Sequence, residues 1–145
     1  MRPAPSMQPI DYPEVAVFPD DRYALSQPRG EVTGDLIVAY GRAMAYHPDW
    51  QPGFTEVWDV TLSESVNVLP GDISQFKELE EETLDLLEGS RTIVIVDRPL
   101  LRMPVELYAR IVRPFGRNLT AAKSQAEAAE LLGIDRLPIL TEPLL

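Results

Sequence analysis

Two aspartates stand where chemistry most often gathers in an open α/β sheet. Asp59 closes the run Phe54-Thr-Glu-Val-Trp-Asp59, and Asp97 closes Arg91-Thr-Ile-Val-Ile-Val-Asp97. Both runs are short and rich in β-branched residues, and a helix-like stretch follows each, so they read as buried parallel strands. Ligands of such sheets bind at the carboxyl edge of the strands. Two carboxylates there could hold Mg²⁺ or share proton transfer. The plainer reading is the stronger: each aspartate satisfies loop amides or caps a nearby helix. A phosphotransfer site of the aspartyl type would want a second aspartate two positions after Asp59, and Thr61 stands there. Arg98 and Arg102 follow Asp97, and the amides that open the next helix add positive potential at the same edge. Such mixed charge suits recognition of a polar partner group, because nothing beside it is poised as a nucleophile. Asp59, Asp97, Arg98 and Arg102 are therefore candidate binding residues. Trp50 joins them from its loop, since tryptophans often fix partners.

The remaining residue types close off other chemistries. Cysteine is absent, which excludes disulfides, thiolate catalysis and Cys-ligated zinc. His47 is the single histidine; without a second ligand or a nucleophile it reads as a loop residue. The glycines occur singly, and neither a dinucleotide fingerprint nor a P-loop is present. No metal site and no cofactor are expected.

The elements that must position these residues follow from the apolar spacing. Residues 1–11 hold three prolines and no periodicity and read as an extended arm. Tyr12–Phe18 and Tyr23–Gln27 flank the turn-forming Pro19-Asp-Asp-Arg22 and read as an antiparallel hairpin. A helix should start near Thr33, with Leu36, Ile37, Tyr40 and Met44 inward, and end before Pro48. A strand at 54–62 and a loop at Ser63–Gly71 lead to a helix opening at Asp72, with Gln75 as capping-box partner and Gly89 as C-terminal cap. Ile73, Phe76, Leu79, Leu84 and Leu87 make its apolar stripe; Glu78, Glu80, Glu81, Glu82 and Glu88 read as its solvated face. After the strand at Arg91–Asp97 come a short turn at Pro99–Arg102 and a helix from about Pro104. Leu107, Tyr108, Ile111 and Phe115 should face its core, with Arg102, Glu106, Arg110, Arg113 and Arg117 opposite. Asn118–Ala122 reads as a fifth strand. Ser124-Gln-Ala-Glu127 opens a last helix with a capping box, closed by Gly133. Residues 12–134 thus form one α/β domain, and the apolar tail 135–145, with Pro138 and Pro143, needs a surface to lie on. Its last four sheet strands should run parallel, with one antiparallel strand from the hairpin.

That order resembles the STAS fold, the domain of bacterial anti-sigma-factor antagonists (SpoIIAA-like) and of sulfate-transporter tails. Asp49-Trp-Gln-Pro-Gly-Phe-Thr-Glu-Val-Trp-Asp59 is similar to a segment of small bacterial STAS-like proteins, in which a Pro-Gly-aromatic turn enters a central strand ending in Asp. Ala126-Glu-Ala-Ala-Glu-Leu-Leu-Gly133 is a looser match, lacking the family's Trp. The resemblance implies a STAS-like single domain, a mixed, mostly parallel sheet of about five strands with about four helices. It also implies a regulatory role through protein contact. The antagonists' phosphoacceptor motif does not carry over: the matching stretch is Leu69-Pro-Gly-Asp-Ile-Ser-Gln75, and Ser63, Ser65 and Ser74 read as ordinary loop and helix serines.

Composition points the same way. The chain of 145 residues carries a net charge of −10, which disfavours nucleic acid and anionic membranes as partners. Residues 90–123 are the exception, with 2 acids against 7 bases, a band that either docks or neutralises its neighbours. No signal-peptide stretch and no run near the ~20 apolar residues of a spanning helix is found, so the cytoplasm is the expected place. The expected function is a non-enzymatic binding module acting on a protein partner, with a homo-oligomer possible. The alternative is a small apolar-ligand or lipid-binding domain, which a deep apolar pocket would favour.

Overall fold

A computed structural model describes residues 14–140. The N-terminal arm expected at 1–11 and the last five residues of the tail lie outside them. Seven strands and four α-helices follow in order: β1 Val15–Phe18, β2 Tyr23–Ser26, β3 Gly30–Thr33, α1 Gly34–Ala45, β4 Thr55–Asp59, β5 Ser63–Asn67, α2 Asp72–Glu82, β6 Arg91–Ile95, α3 Arg102–Val112, β7 Asn118–Ala122 and α4 Gln125–Leu132. The main sheet has the order β1-β2-β4-β6-β7. β1 is antiparallel to β2, and the other four strands run parallel. The hairpin and the mostly parallel sheet are as the sequence predicts.

Local chemistry explains the boundaries. Thr33 caps α1 by accepting from the Leu36 amide at 3.3 Å, and α1 stops at Ala45, ahead of Pro48. Ser124 accepts from the Glu127 amide and Glu127 from the Lys123 amide, so α4 opens on two side-chain caps, the second one residue ahead of the capping-box position. It ends at Gly133, whose φ of +75° is the left-handed conformation glycine tolerates. A short 3₁₀ turn at Pro99–Leu101 precedes α3, and Pro104 sits in the first turn of that helix, where its missing N–H costs nothing.

The sheet is buried on both faces. One side packs Trp58, Val94 and Val96 against Tyr40, Met44, Trp50, Leu87 and Leu101. The other packs Leu25, Val57, Ile93 and Ile95 against Ala128 of α4 and Leu137 of the tail. Each fully buried side chain of this size contributes roughly 1.5–3 kcal/mol. α1 and α2 approach closely at Gly41, where a Cβ would stand 2.6 Å from Leu79 Cδ2.

Several expectations fail, each for a long-range reason. The strand expected at 54–62 ends at Asp59, and the loop expected at Ser63–Gly71 begins with β5. β5 forms because β3, some thirty residues earlier, pairs with it in parallel as a separate two-stranded sheet. α2 carries no side-chain cap; Gln75 donates to Asp35 of α1 and Asp72 accepts from the Leu69 amide. α2 closes at Thr83, not at Gly89. Leu84 and Leu107 are exposed. Glu80 is not on a wet face but only 2% exposed, and Arg117, beyond the end of α3, turns inward to meet it.

Candidate functional site

Asp59 ends β4 at the carboxyl edge and is 0% exposed. Its Oδ1 accepts from the Thr61 amide at 3.0 Å and the Thr61 hydroxyl at 2.7 Å. Its Oδ2 accepts from Gln27 Nε2 at 3.1 Å and Gln125 Nε2 at 2.6 Å. Four donors saturate it, and it ties the ends of β2, β4 and α4 together. A carboxylate so enclosed has no lone pair to offer a metal or a substrate. Thr61, at the position where a second aspartate was wanted, is the residue that holds it.

The other candidates separate. Asp97 is exposed, 3.5 Å from Arg98 Nε, close enough for attraction but too long for a strong hydrogen bond. Arg98 Nη2 donates to the carbonyls of Ser63 at 2.7 Å and Val60 at 3.2 Å, and Nη1 reaches that of Glu64. Its guanidinium thus staples the start of β5 to the end of β6. Arg102 is exposed at the first position of α3. Trp50 lies inside, stacked edge-on against Phe54 and donating to the Leu86 carbonyl at 2.8 Å. The structure does not bring these five residues into one site.

A second buried polar cluster had no forewarning in the sequence. Arg117 donates through Nη2 to Glu56 at 2.8 Å and through Nη1 to Glu80 at 2.9 Å. Trp58 Nε1 and the Thr92 hydroxyl also donate to Glu56, Arg117 donates to Thr92, and Tyr108 donates to Glu80. Burial pushes the Glu80 pKa up, with Arg117 opposing. Burial works against the Arg117 charge, but the two carboxylates outweigh it and hold its pKa high. Tyr108, half-buried and beside carboxylates, is raised well above the usual phenol range, chiefly by desolvation. Alternation along β4 would have placed Glu56 on the same face as Trp58; nothing local announced its partners.

Next to this cluster an apolar cleft opens between α3 and the β3–β5 strip. Val32, Ile37, Val60, Val66, Val105 and Leu119 line its walls, with Trp58 and Tyr108 shared between cleft and charge cluster. Its enclosed part measures about 60 Å³. Away from its lining, the 3₁₀ turn and α3 present Leu100 to solvent at 89% exposure and Met103 at 76%, Leu107 is exposed one turn on, and Leu69 is exposed ahead of α2. Arg102, Glu106, Arg110 and Arg113 are exposed on the same segment. Of the basic band read from the sequence, Arg102 and Arg110 lie on α3 and Arg113 directly after it, while Arg98 and Arg117 are turned to other partners.

The chain is a mixed α/β domain with a small apolar cleft beside α3 and, on the other side of the charge cluster, a wider opening of about 360 Å³ lined by Glu80, Arg117, Leu84, Glu88 and Phe115. No protein-family model matches it, and no curated protein matches it in sequence. Among solved structures it is similar to the anti-sigma factor antagonist SpoIIAA in its unphosphorylated form, with 16% identity and a TM-score of 0.44, covering 83% of this chain and 96% of that one. Among the described residues, no three His, Cys, Asp or Glu side chains gather closely enough to hold a metal ion. No helix among them is long and apolar enough to cross a membrane.

Proposed function

We propose that this chain is a non-enzymatic binding module that receives an acidic, apolar segment of a protein partner along α3 and in the cleft beneath it. The observation that carries the reading is the outer surface of α3: Leu100 and Met103 stand almost bare in water beside Arg102, while Pro104, Val105 and Tyr108 of the same helix line an apolar recess. Exposed large apolar side chains that lie together mark contact surfaces, and the arginines supply charge complementarity for a partner of opposite sign. The size of the recess bears on the kind of occupant. About 60 Å³ is several-fold below the roughly 300 Å³ at which pockets take drug-sized ligands. It accommodates the tip of one side chain, as a partner's hot-spot residue would supply.

The second reading, a small apolar ligand or lipid, draws on the almost purely apolar walls. It requires α3 to swing away from the β3–β5 strip. Quantitative capture from a lysate of the source organism separates the readings. A Met103→Glu, Leu107→Glu chain is compared with wild type and with Leu131→Glu, an exposed leucine on α4. Loss of a defined protein by tenfold or more in the α3 variant alone supports the partner reading. Equal capture by all three chains overturns it, and an apolar molecule retained by the wild type in native mass spectrometry puts the ligand reading in its place.

A further inference from the structure

The far face of the sheet holds a second feature, independent of α3 and its cleft. After Gly133 the chain turns back and runs across the ends of β2 and β4. Leu137, 6% exposed, enters the cluster formed by Tyr23, Leu25, Val57, Ile93, Ile95 and Ala128. Pro138 and Leu140 then meet a single side chain. Gln27 Nε2 donates to the Pro138 carbonyl at 3.0 Å, and Gln27 Oε1 accepts from the Leu140 amide at 2.6 Å. Arg29 donates to the Leu140 carbonyl at 3.3 Å. Arg136 and Ile139, between and beside these contacts, point to solvent.

This is how an extended peptide is read, not how a core is built. One amide supplies the donor and the acceptor that the backbone of a neighbouring strand would supply, while a pocket takes one side chain. Main-chain bonds with alternate side-chain pockets are the grammar of strand-addition recognition. The reading amide is also set in place without the tail. Gln27 is bonded to Asp59, and Asp59 to Thr61 and Gln125, so the groove is organised by β2, β4 and α4. Residues 135–140, in contrast, join no strand ladder; they follow Gly133 and Ile134, whose amide still bonds to the Ala129 carbonyl of α4.

We propose that the groove along Gln27 is a peptide-recognition site for an extended Leu-Pro-x-Leu segment, filled in cis by residues 137–140 and available to the same motif of a partner protein when the tail lifts. Asp59 acts in it as a positioning residue: it holds the Gln27 amide and touches no peptide.

The test uses a fluorescent peptide with the sequence of residues 134–140, titrated into the full chain and followed by anisotropy. Wild type should bind it weakly, because its own tail competes. Leu137→Asp, with the tail unable to dock, should bind it with a Kd at least tenfold lower. Adding Gln27→Ala to Leu137→Asp should return the affinity to the wild-type level, and a peptide carrying Asp at the Leu137 position should not bind. Equally weak binding by all chains overturns the proposal. Hydrogen exchange of the wild-type chain tests it where the variant does not fold. The Leu140 amide should exchange through a local opening that leaves the Ile93 and Ile95 amides protected. Exchange of all three only together makes the tail part of the core and overturns the proposal as well.

Discussion

Strand β4 carries two buried carboxylates three residues apart, on opposite faces of the sheet, and the protein satisfies them in different ways. Asp59 is held by neutral donors from Thr61, Gln27 and Gln125. Glu56 shares one guanidinium with a second carboxylate, Glu80. The first arrangement needs no counter-charge and degrades bond by bond. The second concentrates two acids on one base in a dry setting, where loss of the base strands both. The difference teaches that burial of an acid says little by itself: the nature of the donors decides how much stability hangs on it.

The comparison breaks most visibly at Arg117. Arg117→Met keeps the aliphatic stem and removes the charge, leaving Glu56 and Glu80 unpaired. Urea denaturation at neutral pH should show a loss of about 3–5 kcal/mol. A loss below about 1 kcal/mol would mean that the two clusters are equivalent in kind. Asp59→Asn comes next. It puts an NH₂ where one oxygen accepted two amides, and the unmet donors should cost about 1–3 kcal/mol by the same measurement.

Glu80 sharpens the contrast through pH. Its pKa is raised in the folded state by burial, so the folded chain holds that proton more tightly than the unfolded chain does. The stability linked to it is present at low pH and falls as pH rises from the ordinary carboxylate range through the raised value. Urea midpoints of wild type and Glu80→Gln, measured from about pH 4 to 7, should show this downward slope in the wild type alone. Glu82 works in the opposite sense. Its pKa is lowered by the hydrogen bond from Arg42, so its contribution is present above the unfolded value and lost as pH falls through the folded one. Because that pair is half-exposed at 3.0 Å, Arg42→Ala should cost less than about 1 kcal/mol. It is the smallest effect of the set, and a larger one would erase the distinction between surface and buried pairs.

Much of the scaffold was readable from residues in order because its signals are local. The runs ending in Asp59 and Asp97 are β-branched, the Ser124 and Glu127 side chains cap amides at the start of α4, and Pro48 bounds α1; each acts within a few positions. Glu80 reads as solvated because Glu78, Glu81 and Glu82 beside it in α2 are. Yet Phe76, Leu79 and Glu80 fall on one helical face, and only a base arriving 37 residues later makes an acid acceptable there. β5 hid for a similar reason: Ser63-Glu-Ser-Val-Asn67 has no strand character until β3 pairs with it. Of the site candidates, Asp59 was placed correctly at the sheet edge, and its role as a satisfied strand-end carboxylate follows from Thr61. Trp50 was ambiguous because a loop tryptophan reads alike whether it faces water or the Leu86 carbonyl. The cleft and the exposed apolar surface of α3 could not be read at all, since the spacing of α3 predicts an inward Leu107.

Arg117 also bears on time. Its partners lie 61, 37 and 25 positions away, on β4, α2 and β6, so its bonds close only after those elements have met. Interactions absent from the transition state for folding govern the rate of unfolding more than the rate of folding. We expect Arg117→Met to speed unfolding more than it slows folding, read from the two arms of a chevron; a change confined to the folding arm would place these bonds in the transition state. On that expectation the guanidinium is a latch on the lifetime of the assembled domain.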